Sequence, residues 1–185
     1  MSWTVVARWQ DWSGEGFEHL VLREAEDGVS AASVVLGPGG AEVFAAMYRI
    51  VCDAGWRVRR LEVSLVGEER GLELTRDGAG RWTDRSGTPL PDLEGAIDVD
   101  LTVTPFTNTL PIRRLHLERG QSETIRVVYV EVPDLTVTIK RQRYTCLEPG
   151  RRYRFESLDS DFVREIDVDD DWLVLMYPGL FRRVL

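Results

Sequence analysis

The sequence predicts an all-β fold with little helix and mainly antiparallel pairing. Three observations carry this prediction. Apolar residues recur at every second position along most of the chain, the period of a half-buried strand. Clusters of Gly, Pro and Asp interrupt these runs at the spacing of an all-β domain. Asp-Gly pairs end the segments Glu26-Asp27-Gly28 and Arg76-Asp77-Gly78, where they would supply the positive φ values of tight hairpins.

In chain order, the alternating runs place strands at residues 4–9, 19–23, 30–36, 43–52 and 56–66. Further strands are expected at 71–76, 80–84, 97–104, 113–118, 125–132, 135–146, 152–157, 162–168 and 173–177. The run 43–52 also suits a helix through Ala45, Ala46, Met47 and Ile50, but alternation favours a strand. Residues 84–94, with Ser86-Gly87-Thr88-Pro89 and Pro91-Asp92, read as the clearest loop. Residues 1–185 fit one domain, with a possible division into two small β subdomains near that loop.

A chain of this length buries about 70% of its unfolded surface and needs no covalent staple. Cys52 and Cys146 are too few for a disulfide framework and read as small buried hydrophobes. The formal charge of -8 argues against nucleic acid or an anionic membrane surface as the main partner. Arg8 interrupts the only apolar run near the N-terminus, so no signal peptide is expected and the reading is a cytoplasmic protein. No run of 18 apolar residues occurs, so no transmembrane helix is expected.

Several motifs fail their tests. The run Asp167, Asp169, Asp170, Asp171 puts Trp172 and Pro178 where a calcium loop needs glycine and glutamate, and reads as a solvated turn. Gly37, Gly39 and Gly40 are irregularly spaced for a dinucleotide loop and read as a turn. His19 and His116 lack a serine elbow or triad partner and read as structural. Neither metal nor cofactor is implied.

The stretch from Asp98 to Leu115, Asp-Val-Asp-Leu-Thr-Val-Thr-Pro-Phe-Thr-Asn-Thr-Leu-Pro-Ile-Arg-Arg-Leu, carries the candidate chemistry. In a strand, Asp98, Asp100, Thr102 and Thr104 share one face while Val99, Leu101 and Val103 line the other. Pro105 ends the ladder, and Arg113 and Arg114 would project to opposite faces of an extended segment. The acids and arginines can form a buried ion network at a strand crossover. Alternatively, they line a cavity and hydrogen-bond a sugar or polar headgroup. Two carboxylates about 6 to 7 Å apart on one strand face also permit acid–base work on a glycosidic bond. Of the six tryptophans, one or two are expected to line a pocket and the rest to pack the core.

The same stretch closely resembles the signature of the bacterial "putative glycolipid-binding" family. Supporting pieces stand in order: Cys52-Asp53 followed by Trp56, Gly80-Arg-Trp82, Val132-Pro133-Asp134-Leu135, Gln142-Arg-Tyr144 and Tyr177-Pro-Gly-Leu-Phe-Arg182. The resemblance implies a spiral β-roll or incomplete barrel of about 15 strands, similar in shape to periplasmic lipoprotein carriers, and implies no catalytic residues.

The resulting expectation is non-catalytic binding of a glycolipid or similar amphiphile in a cleft of a curved sheet. Asp98, Asp100, Asn108, Arg113, Arg114, Tyr144 and Tyr177 are the candidate ligand-binding residues. The rivals are a hydrolase acting on glycosides or esters through Asp98 and Asp100, and an interaction scaffold without a small ligand. Oligomeric state is left open.

Overall fold

The computed structural model describes residues 3–38 and 43–185. Gly39 and Gly40 of the expected glycine turn lie outside the described residues. Among the described residues, fourteen strands form one sheet: β1 Trp3–Asp11, β2 Phe17–Ala25, β3 Gly28–Leu36, β4 Ala45–Cys52, β5 Val58–Leu65, β6 Gly71–Arg76, β7 Trp82–Asp84, β8 Asp98–Leu101, β9 Ser122–Glu131, β10 Thr136–Glu148, β11 Arg152–Ser157, β12 Val163–Val168, β13 Val174–Tyr177 and β14 Phe181–Arg183. Their order across the sheet is β7-β6-β5-β4-β3-β2-β1-β14-β13-β12-β11-β10-β9-β8. Neighbours pair antiparallel except β8 and β9, which run parallel. The ambiguous run 43–52 is a strand, as alternation favoured.

Alternate residues of β1 to β7 point to one face and build the larger apolar cluster, joined by Val99 and Leu101 of β8 and by Val128 and Val130 of β9. A second cluster sits on the other side of β8: Ile112, Val127, Tyr144, Phe155, Ile166 and Tyr177 belong to it. The edge strand β8 pairs only with β9, yet both of its faces are covered. The sheet therefore rolls upon itself with one edge inside, a spiral that stays open as a barrel. Rolling in this way hides an edge that would otherwise expose unpaired backbone.

Two segments depart from the alternation reading. The strand expected at 97–104 shortens to β8, and the strand expected at 113–118 is replaced by helix α1, Thr109–Leu115, preceded by a single 3-10 turn, Phe106–Asn108. Pro111 is tolerated because it falls in the first helical turn, where its missing N–H has no intrahelical acceptor to lose. Ile112 and Leu115 have helical spacing and both pack into the second cluster, so packing overrides the apparent alternation. Arg113 and Arg114 accordingly leave a helix rather than opposite faces of a strand. Residues 181–183, where no strand was expected, form β14, which joins β1 to β13.

Turn chemistry also differs from the Asp-Gly expectation. Asp53, Asp77, Asp84 and Asp169 each open a five-residue turn of one design. The Asp N–H donates to the carbonyl four residues on. Its Oδ1 accepts from the N–H groups two and four residues on. The fourth position takes positive φ and is occupied by Trp56 (60°), Gly80 (89°), Gly87 (84°) and Trp172 (59°). Thus Gly80, not Gly78, takes the left-handed position after Asp77. Of the acidic run, Asp167 lies in β12 and Asp169 anchors such a turn over residues 169–173.

Candidate functional site

The candidate stretch contributes to two separate places. Toward one end of the roll, Arg114 donates to both carboxylate oxygens of Asp98, at 3.2 and 2.6 Å, and Asp98 is wholly buried. Burial pushes the Asp98 carboxyl up, and the hydrogen bonds and charge of Arg114 oppose that shift. Arg113 points elsewhere. Its guanidinium lies between two rings, 4.5 Å from the Trp56 centroid and 4.6 Å from that of Trp172, while donating to Glu24 Oε2 at 2.9 Å. Both tryptophans occupy the positive-φ position of an Asp turn, one in the β4–β5 connection and the other in β12–β13. Helix α1 thereby clasps the two halves of the sheet at this end.

The opposite end is open. Its rim comprises the β1–β2 turn, the exit of β8, the β9–β10 turn and the β13–β14 turn, which surround a two-armed cleft. One arm, about 490 Å³, is mainly apolar, with Trp9, Trp12, Phe17, Val35, Phe44 and Val132 among its walls. The other, about 370 Å³, is polar, with Asp100, Asn108, Tyr129, Lys140, Gln142 and Tyr177 among its walls. Thr102, Leu180 and Phe181 line both arms, so the two adjoin.

Asp100, Asn108 and Tyr177 meet in the polar arm. Asp100 accepts from Thr107 Oγ1 at 2.9 Å and from Gln142 Nε2 at 2.6 Å. Burial raises its pKa, against the hydrogen bonds of Gln142 and Thr107. Tyr144 stands behind this wall and donates to Asn108 Oδ1 at 2.9 Å, fixing the amide whose Nδ2 donates to the Pro105 carbonyl. Asp98, Arg113 and Arg114 do not line the cleft. The two carboxylates of β8 therefore serve different environments, one ion-paired in the core and the other at a cavity wall.

Glu18, which carried no site expectation, is the notable addition. It sits on the inward face of β2 with Leu20 and Leu22 and is 4% exposed. Oε1 accepts from Ser33 Oγ at 2.8 Å and Tyr48 Oη at 2.5 Å, whereas Oε2 has no partner. Burial lifts its pKa from 4.5 to about 7 despite these hydrogen bonds. Its parity with two leucines was a readable signal of an inward acid. Tyr129, Lys140 and Gln142 were also missed, since their position depends on how β9 and β10 curl past β8.

Two of the six tryptophans, Trp9 and Trp12, line the cleft, in line with the expected number. Cys52 and Cys146 are free and buried. His19 Nδ1 accepts from Arg8, and His116 caps α1 in the left-handed region. Outside the cleft, a depression of about 730 Å³ lies on the outer sheet face beside the exposed Val34 and Met47. Among the described residues no helix is long and apolar enough to cross a membrane.

A crystal structure of a DUF1089 family protein from Pseudomonas aeruginosa is similar to this chain, with 37% identity, a TM-score of 0.79 and coverage of 92% of each chain. No curated protein matches the sequence. The family model described as "Putative glycolipid-binding" matches residues 6–183. A match of that extent leaves little of the chain outside it, and the chain belongs to this family.

Proposed function

We propose that the chain acts as a single domain that binds a glycolipid or similar amphiphile, without catalysis, in the open-end cleft. The observation that carries this reading is the adjacency of an apolar arm and a polar arm, which share Thr102, Leu180 and Phe181 as lining residues. An alkyl chain in the first arm is stabilised by about 25 cal/mol per Å² of apolar area removed from water. A sugar in the second meets Asn108, Gln142, Tyr129 and Tyr177, a set of hydroxyls and amides suited to orienting hydroxyl groups. Asp98, Arg113 and Arg114 support the roll around the cleft, and Tyr144 holds Asn108 in position. The hydrolase reading is less supported, because Asp98 is committed to Arg114 and stands away from the cleft. We place the protein in the cytoplasm, with the amphiphile drawn from solution or from a membrane face.

The test is calorimetric titration of the detergent-free protein with alkyl glucosides of six to twelve carbons. Affinity should rise severalfold per added methylene, up to about 0.8 kcal/mol each, until the apolar arm is filled. Affinity that is undetectable, or independent of chain length, would reject the reading.

A further inference from the structure

Among the described residues that line the two arms, the acidic side chains are Asp11, Glu18, Asp100, Glu131 and Asp159, and the one basic side chain is Lys140. Lys140 itself faces the Tyr129 ring, its Nζ 5.8 Å from the centroid. Among the described residues, no ion pair joins Glu18, Asp100 or Glu131 to a cation: Asp100 is held by a hydroxyl and an amide, and Glu18 by two hydroxyls. Glu18 further keeps one buried oxygen without any partner. Arg113 and Arg114 of the candidate stretch are consumed elsewhere in the fold, Arg141 pairs with Asp159, and Arg164 lies over the Phe162 ring and donates to the Pro178 carbonyl.

We infer that the cleft selects amphiphiles by headgroup charge: it takes a hydroxyl-rich headgroup that is uncharged or carries an amine, and rejects one that carries an anion. This deepens, and rests on, the amphiphile-binding reading. An anionic headgroup entering the polar arm would leave water to stand beside Asp100 and Glu131, with Lys140 as the one cation among the described lining residues, and like charges in a partly dry site repel strongly. Sugar hydroxyls instead donate to the same carboxylates, and an ammonium adds an attraction to each. Burial raises the pKa of Asp100 and Glu18. Glu18, raised to about 7, is therefore partly protonated near neutral pH, and its remaining charge still opposes an anion. Discrimination of this kind works by building a repulsive element against the wrong ligand.

Three ligands of one chain and one ring test it: octyl glucoside, octyl glucuronide and the octyl glycoside of glucosamine, titrated into the intact chain at low salt. The glucoside should bind at least about tenfold more tightly than the glucuronide, and the amino sugar at least as well as the glucoside. The gap should narrow at high salt, because the exposed Glu131 is screened. Glu131→Gln, on the exposed rim, should narrow it as well, and Asp100→Asn should narrow it further. A glucuronide that binds as tightly as the glucoside would overturn the inference and leave the amphiphile reading standing. Failure of all three ligands to bind would overturn both. The ranking on the wild-type protein decides the matter even if Asp100→Asn does not fold.

Discussion

The two ends of the roll use similar residue types to opposite ends. At the clasped end, acids meet arginines: Asp98 holds Arg114 and Glu24 holds Arg113, whose guanidinium is also enclosed by Trp56 and Trp172. At the open end, Trp9 and Trp12 line the apolar arm, and Asp100 and Glu18 have hydroxyl and amide partners but, among the described residues, no cation. The difference shows that pairing, rather than the count of charges, separates a structural joint from a candidate site. A carboxylate whose charge is cancelled in the core fixes geometry, and one left at a cavity wall remains available to a ligand.

Removing a partner at the clasped end should have the largest effect on stability. Arg114→Met strands Asp98 as a buried, unpaired charge, and denaturant unfolding should record a loss of about 3–5 kcal/mol. The double change Arg114→Met with Asp98→Leu should recover much of it, since replacing a whole buried pair by apolar groups is often near neutral.

Next comes a pH effect from the open end. Glu18 has its folded-state pKa raised from 4.5 to about 7, so the folded state binds that proton more tightly than the unfolded chain. Its contribution to stability is fully present below pH 4.5 and is lost as pH rises through about 7, beyond which it is flat. The amplitude is on the order of 3 kcal/mol at about 1.4 kcal/mol per pKa unit. Glu18→Gln keeps an oxygen for Ser33 and Tyr48, so it should remove this slope and be more stable than the wild type at pH 8. Unfolding curves at a series of pH values would check it, and an unchanged slope in the variant would show that Glu18 is not the titrating group.

Arg113→Ala should cost about 2 kcal/mol through two cation–π contacts and a half-buried ion pair, with alkyl glucoside affinity unchanged. Arg113→Lys should rescue only part of this, because an ammonium cannot stack between two indole faces as a planar guanidinium does. Leu180→Arg is the mirror case. It sits on the partly exposed turn where the arms meet, so it should change stability by less than about 0.5 kcal/mol while weakening ligand binding at least tenfold. If Arg113→Ala weakened binding as much as Leu180→Arg does, the two ends would not be separable.

Most strands were legible from the alternation of apolar residues, because each has one face in the core. The stretch 109–115 was not, since Ile112, Arg113, Arg114 and Leu115 fit either period and only the second cluster decides for helix. β14 was missed because three residues are too few to show a period. At the site, strand parity put Asp98 and Asp100 on one face, as found, but could not tell that α1 would bring an arginine to one and leave a cavity beside the other. Glu18 was readable from its parity with Leu20 and Leu22. Trp56 and Trp172 were not readable as partners, since the positions that bring them to Arg113 are 116 residues apart in sequence and meet only through the roll.

On the proposed reading, an amphiphile lies across the open end with its tail in the apolar arm. Photolabelling with an alkyl glucoside carrying a diazirine at the tail end, followed by mapping of the modified peptides, tests it most directly. Labels should fall on residues of the apolar arm such as Val35, Phe44, Val132 and Leu180. Labels concentrated instead on Val34 and Met47 of the outer sheet face would contradict the claim and favour an interaction surface.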